Sequence, residues 1–265
     1  MIYIPGNMLF SIPYRLLPLL LFLWIAQPLT AGKRLSPEER TIVDAASHPW
    51  NAIGRVNRAG TGHCTGVLIT PSHVLTAAHC LWNPRTGQPL PVTELHFLAG
   101  YQKGRYVAHG RVKSLFINPH YNPDISDHLK RAETDWAIIN LTSPLSGVKP
   151  LPLMPLNRAT LQKLHKSGNK IEQAGYSRDW QYVLTRDDDC VLHGFIEGKK
   201  LLAHSCKAIG GDSGSPLIAN DGKRRLVIAI HVGRAKENER ELGLAVPGGV
   251  ISGWKKESVT SPAQR

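Results

Sequence analysis

The sequence predicts an all-β fold, a sandwich or a barrel made of many short strands. Three observations predict it. Short apolar runs recur along the chain from Ile42 onward. The chain has 24 glycines and 19 prolines, about one residue in six, and they fall between those runs. No long stretch keeps the 3.6-residue period of an amphipathic helix. With 265 residues, 42% of them apolar and 20% charged, the chain can fill a core in one large domain or two small ones. That balance excludes a collagen, a coiled coil and a polytopic membrane protein.

The first element is expected to leave the mature chain. Residues 1–31 carry one charge, Arg15, before the apolar run Leu16–Ala26, and Leu29-Thr30-Ala31 ends on a small residue. This is the layout of a secretory signal. The alternative is a retained anchor, because the apolar stretch can be extended back to Met8, but the run from Leu16 is short of the roughly 20 residues a membrane span needs. The net charge is +12, and removing 1–31 takes away one basic residue and no acidic one, leaving +11. Residues 32–41 are polar and read as a linker or short pro-segment.

Strands are expected in order at Val67-Leu68-Ile69, His73-Val74-Leu75, Leu95 to Phe97, Leu115-Phe116-Ile117, Trp136 to Leu141 and Leu226 to Ile230. Thr70-Pro71-Ser72 breaks the first from the second, and Asn118-Pro119 stops the run that ends at Ile117. Short helical turns are expected after His79 and at 251–256. Four prolines between Ser143 and Leu156 interrupt any ladder and mark a connector between two halves of similar size. Residues 258–265 are a polar tail.

An exported chain can keep disulfides. Its four cysteines fall as two local pairs, Cys64/Cys80 and Cys190/Cys206, although three connectivities are possible. Closing each local loop would contribute about 3 kcal/mol. No Cys-x-x-Cys occurs, so neither a zinc site nor a redox motif is expected, and no cofactor is implied. The basic clusters Lys199-Lys200, Lys223-Arg224-Arg225 and Lys255-Lys256 are short and carry no interleaved aromatics, so no nucleic-acid partner is expected. Asp187-Asp188-Asp189 reads as a charged loop. Asn140-Leu141-Thr142 is a glycosylation sequon on an expected strand.

Three separated segments carry the chemistry. Thr76-Ala77-Ala78-His79-Cys80 closes an apolar strand. Asp135-Trp136-Ala137-Ile138-Ile139 opens another. Gly210-Gly211-Asp212-Ser213-Gly214-Ser215-Pro216 forms a glycine-rich turn. Singly they read as a satisfied histidine, a turn aspartate and an ordinary turn. In this order, with a Cys abutting the His and Gly-Asp-Ser-Gly around the Ser, they resemble the trypsin/chymotrypsin-like serine proteases from about Ile42 to Trp254.

The resemblance implies two antiparallel β-barrels of the chymotrypsin type with the active site between them. The first would span 42–142, the connector 143–156 and the second 157–257. It implies a Ser-His-Asp triad of Ser213, His79 and Asp135, with the N–H groups of Gly211 and Ser213 as oxyanion hole. It also implies a bridge Cys64–Cys80 beside the histidine, and Cys190–Cys206 is expected to support the pocket wall. The pocket would be built by Lys207 and Ala208 before the serine and by His231 and Gly233 on the following strand. Lys207 stands where trypsin-like members place an Asp, which argues against tryptic specificity. Gly-Gly-Asp-Ser-Gly-Ser-Pro followed by Ile-His-Val-Gly is similar to the bacterial glutamyl endopeptidase branch, in which a His on this strand contacts an acidic side chain. The bland reading is that His231 packs in the strand and Lys207 faces solvent.

Ile42-Val43 resembles the new N-terminus of activated members, whose ammonium pairs with the Asp beside the serine, here Asp212. However, Thr41 precedes it and Asp44-Ala45 follows. Either Arg40 is a processing point, or an internal cation pairs with Asp212 and no zymogen exists. The function implied is a secreted or periplasmic endopeptidase acting on polypeptides as a monomer, touching a membrane only through its signal. The alternative is a catalytically weak or inactive protease-like protein that binds through its basic surface. An esterase using the same residues is disfavoured because position 215 is Ser where Gly-x-Ser-x-Gly needs Gly.

Overall fold

A computed structural model describes residues 40–60, 62–237 and 240–254. The expected signal, all but the end of the 32–41 segment, residues 255–256 and the tail lie outside the described residues. A two-residue strand, β1 (Thr41–Ile42), opens the described chain. It is followed by β2 (Ile53–Arg58), β3 (Gly62–Thr70) and β4 (His73–Thr76). A small hairpin of β5 (Trp82–Asn83) and β6 (Gln88–Pro89) comes next, then β7 (Leu95–Ala99), β8 (Ala108–Ile117), helix α1 (His128–Ala132) and β9 (Ala137–Leu141). Strands β2-β3-β4-β9-β8-β7 close into an antiparallel barrel. The pleat explains the sequence pattern: in β7, residues 95, 97 and 99 are buried while 96 and 98 are half-exposed. Val56, Leu68, Leu75, Phe97 and Ile138 fill the interior.

The 143–156 segment bonds to strands of both sheets. The Leu151 N–H donates to the Leu68 carbonyl in β3, and the next residues bond to Val227 through Pro152 and Met154. Helix α2 (Arg158–Lys166) follows and was not expected from periodicity. Its signal is in the cap: the Asn157 side chain accepts from the Thr160 N–H at 2.9 Å, and the Thr160 hydroxyl accepts from the Asn157 N–H at 2.7 Å. Lys163, His165 and Lys166 in its last turn suit the negative end of the helix dipole.

The second half comprises β10 (Lys170–Gly175), β11 (Thr185–Cys190), β12 (Leu192–Phe195), β13 (Leu202–His204), β14 (Pro216–Asn220), β15 (Arg225–Glu237) and β16 (Arg240–Pro247), with a final turn α3 (Gly248–Ile251). These strands form one curled sheet in the order β1-β11-β10-β14-β15-β16-β13-β12, a half-barrel rather than a closed one. Strand β1 thus leaves its sequence neighbours and adds to the edge of the second sheet, with Ile42 opposite Thr185. Leu161, Leu202, Leu217, Ile228 and Ala245 pack its core.

Both expected disulfides are present, Cys64–Cys80 and Cys190–Cys206. The acidic run 187–189 is strand, not loop. Asp187 is buried there, and its carboxylate accepts from the N–H groups of Asp189 and Lys207. Asn140 of the sequon lies in β9 and donates to the Ser114 hydroxyl.

Candidate active site

The first barrel supplies the histidine and the aspartate. Beyond β4 the chain turns through a 3₁₀ segment, Ala78–Leu81, that carries His79. Asp135 sits between α1 and β9, and Asn118 pins the residues on either side of it. The Asn118 backbone N–H donates to the Trp136 carbonyl (3.2 Å), and its side-chain amide donates to the Thr134 carbonyl (3.0 Å). The outcome is a two-point contact. His79 Nδ1 donates to Asp135 Oδ2 at 2.6 Å, and the His79 backbone N–H donates to Oδ1 at 2.9 Å. A carboxylate only accepts, so this contact keeps the proton on Nδ1 and leaves Nε2 as a base. Burial disfavours the imidazolium, but the charge and hydrogen bond of Asp135 outweigh it and raise the His79 pKa above its ordinary value.

Ser213 arrives from the second sheet, just before β14. Gly214 has φ 81°, and a Cβ there would collide with the Thr65 carbonyl and the Thr76 hydroxyl. Only glycine lets the serine turn lie against the end of β4, where the His79 segment begins. The Ser213 carbonyl accepts from the Thr65 N–H at 2.9 Å and lies 3.8 Å from Sγ of Cys80. That sulfur is itself within 4.8 Å of a His79 ring nitrogen. The backbone of Ser213 is therefore held beside the histidine segment.

Thr65 is the hub of this junction. It is fully buried, its hydroxyl donates to the Gly211 carbonyl (2.9 Å) and accepts from the Tyr176 N–H (3.0 Å), and its own carbonyl accepts from Thr76 (2.8 Å). A Thr65→Val variant keeps the shape and strands the buried Tyr176 N–H and the half-buried Gly211 carbonyl. It is expected to unfold at lower denaturant with a loss of about 2 kcal/mol, read from the midpoint at unchanged slope.

The turn that would hold an oxyanion is also ordered. Gly211 has φ 97°, outside the range side chains favour. The Gly210 carbonyl accepts from the Arg178 N–H at 2.6 Å. Because a trans peptide sets N–H antiparallel to C=O, the Gly211 N–H faces away from Arg178.

Ser213 and His231 line one cleft of about 380 Å³, with Ile209, Gly210 and Gly233. The charged residues Arg234, Lys236 and Glu241 also line it, and Arg234 pairs with Glu241 at 2.7 Å. Lys207 and Ala208 are not among the lining residues: Lys207 is exposed, and Ala208 is buried behind the turn.

His231 has a partner that the sequence reading missed. His204, on β13, is fully buried, and its Nε2 lies 3.1 Å from His231 Nδ1. The space for its ring is left by Gly243 on the facing strand, where any Cβ would overlap the imidazole. The Cys206 N–H donates to His204 Nδ1 at 3.2 Å. Burial, helped by His193, lowers the His204 pKa to about 3, and burial lowers that of His231 well below its ordinary value. Both rings are neutral at neutral pH, so their protons can be placed. His204 Nδ1 is an acceptor, so its proton sits on Nε2 and is donated to His231 Nδ1. His231 must then carry its own proton on Nε2.

A family model described as Trypsin matches residues 41–254. Vitamin K-dependent protein C of Rattus norvegicus is 26% identical over 210 residues, covering 67% of this chain and 41% of that protein. Kallikrein 1-related peptidase b27 of Mus musculus is 31% identical over 203 residues, covering 66% of this chain and 72% of that protein. The chain thus spans about two fifths of the first relative and nearly three quarters of the second. Among solved structures, a Glu endopeptidase in complex with MPD aligns with a TM-score of 0.63 over 83% of this chain and 97% of that chain, at 17% identity. At that identity the likeness is one of fold, the chymotrypsin-like arrangement of a closed barrel and a curled half-barrel.

Proposed function

Since the chain belongs to the trypsin family of serine proteases, we propose that it is a secreted serine endopeptidase that cuts polypeptides after acidic residues. His79 Nε2 takes the proton of the Ser213 hydroxyl as that oxygen attacks the substrate carbonyl carbon. The Gly211 and Ser213 N–H groups receive the oxyanion. The imidazolium, steadied by Asp135, then passes the proton to the departing amine. Water, activated by the same imidazole, releases the acyl group from Ser213. Export is supported by the two disulfides and by the signal-like residues 1–31.

One observation carries the acidic preference: a neutral His231, its proton on Nε2, shares a cleft with Ser213. An apolar side chain in that cleft would bury the N–H without a partner, at a cost of about 1–3 kcal/mol. A cationic side chain would meet a donor together with Arg234 and Lys236. A carboxylate accepts from the ring and is drawn by the net positive charge of the cleft, Arg234 and Lys236 against Glu241. Two cations thus outnumber the one carboxylate among the charged residues of the cleft, and Glu241 is the partner of Arg234.

The test is digestion of a peptide library with the purified mature chain, run beside Ser213→Ala. Cuts are expected after Glu or Asp. Cleavage mainly after Arg, Lys or large apolar residues would overturn the specificity. A His231→Val variant is expected to lose about 10²-fold in kcat/KM on a Glu substrate. Its loss on an otherwise identical Ala substrate should be much smaller. Equal losses on the two would mean that His231 does not read the side chain.

A further inference from the structure

Asp212, next to Ser213, is fully buried, and the cation that meets it is Arg40. Arg40 Nη1 donates to Asp212 Oδ2 at 2.8 Å, and Nη2 donates to Oδ1 at 3.2 Å. The same guanidinium donates to the carbonyls of Lys207 (3.0 Å) and Thr185 (3.2 Å). Oδ2 also accepts from the Ile209 N–H at 3.0 Å. One side chain therefore ties β11, the segment before the serine and the serine turn into a single unit.

The backbone explains how Arg40 gets there. Strand β1 pairs Thr41 with Arg186 and Ile42 with Thr185, and the Val43 N–H donates to the Leu184 carbonyl at 3.1 Å. This edge pairing places residue 40 over the turn, where its side chain is only 3% exposed. Ile42 is 52% exposed, so it points out of the structure instead of burying an end at Asp212.

We infer that Arg40, in the uncut chain, is the positioning residue that holds the Ser213 turn in its working shape, and that cutting the Arg40–Thr41 bond switches the enzyme off. This rests on the protease reading above. The logic inverts activation by a new N-terminus. A cut after Arg40 would detach the guanidinium from β1 and leave the Asp212 carboxylate buried without its partner. Residues 209–213 would then rearrange to solvate it, and the aligned N–H groups of Gly211 and Ser213 would be lost with them.

The test uses a serine-directed fluorophosphonate on the full mature chain. Labelled molecules are isolated and their N-termini sequenced, and labelling rates are compared for wild type, Arg40→Gln and Arg40→Lys. The expected result is that labelled wild-type molecules retain Arg40. Arg40→Gln should label at least about 100-fold more slowly at a temperature where its melting curve shows it folded, and Arg40→Lys should recover part of that rate, since an ammonium restores the charge at Asp212 but not the two-point contact. Labelled chains that begin at Thr41 or Ile42 would overturn the inference, as would Arg40→Gln labelling at the wild-type rate. Should Arg40→Gln fail to fold, the N-terminal sequences of labelled wild type still decide. Wild type that is never labelled and cuts no peptide overturns the protease reading and this inference together. Active wild type with an indifferent Arg40 overturns this inference alone.

Discussion

Ser213→Ala is expected to lower kcat by about 10⁴- to 10⁶-fold and to leave the melting transition where it was. Both halves of this expectation follow from where the serine's bonds go. The contacts that build the turn are backbone ones: the Ser213 carbonyl to Thr65, the Gly214 N–H to the His231 carbonyl at 2.7 Å, and the Ser215 N–H to the Asp212 carbonyl at 2.8 Å. Alanine keeps all of them. It removes only the oxygen that forms the acyl bond. What remains is the oxyanion hole and the binding cleft, which by themselves give residual catalysis far below that of the intact site. Steady-state turnover of a Glu peptide, with a burst measurement for acyl-enzyme, checks the loss. Near-parental turnover in the variant would remove Ser213 as the nucleophile, and the triad would fall with it.

The parts of the fold legible in the sequence were those written locally. The Leu95–Phe97 alternation is β7, and the apolar run after Trp136 is β9. The words around His79, Asp135 and Ser213 are also local, which is why a resemblance can be drawn from them alone. What escaped was written across the chain. Arg40 lay in a polar stretch with no apolar neighbour, and nothing local says that its side chain bonds 172 positions away. Thr65 reads as an ordinary strand residue, yet its bonds to Gly211 and Ser213 span the two halves. His204 did leave a trace, a lone histidine ending the apolar run Leu201-Leu202-Ala203. Its meaning depended on Gly243, which faces it from another strand. Lys207 is a different case: counting back six residues from the serine reaches a position whose backbone bonds to Asp187 and Arg40 and which does not line the cleft with Ser213.

Asp135→Asn should lower kcat by about 10⁴-fold at neutral pH with little change in KM. The isosteric amide removes one charge, and the larger effect is on the proton it directs. In the parent, the carboxylate can only accept, so His79 Nδ1 must donate and Nε2 stays free to take the serine proton. The other carboxylate oxygen already accepts from the His79 backbone N–H. In the variant, the amide oxygen keeps that backbone bond and the NH₂ is turned toward Nδ1. A donor facing Nδ1 makes it the acceptor and moves the ring proton to Nε2, where it blocks the base. The pH profile separates this from simple misfolding. Burial lowers the His79 pKa, and the charge and hydrogen bond of Asp135 outweigh it and raise it, so in the parent the acid limb of kcat/KM lies above the ordinary histidine value near 6.5. Below that limb the imidazole is protonated and the base is lost; above it the activity is flat. Removing Asp135's charge leaves burial unopposed, so the variant's acid limb must move to lower pH even as its plateau collapses. A variant with the same limb and a mildly lowered plateau would mean that Asp135 merely packs against the ring and leaves its proton alone.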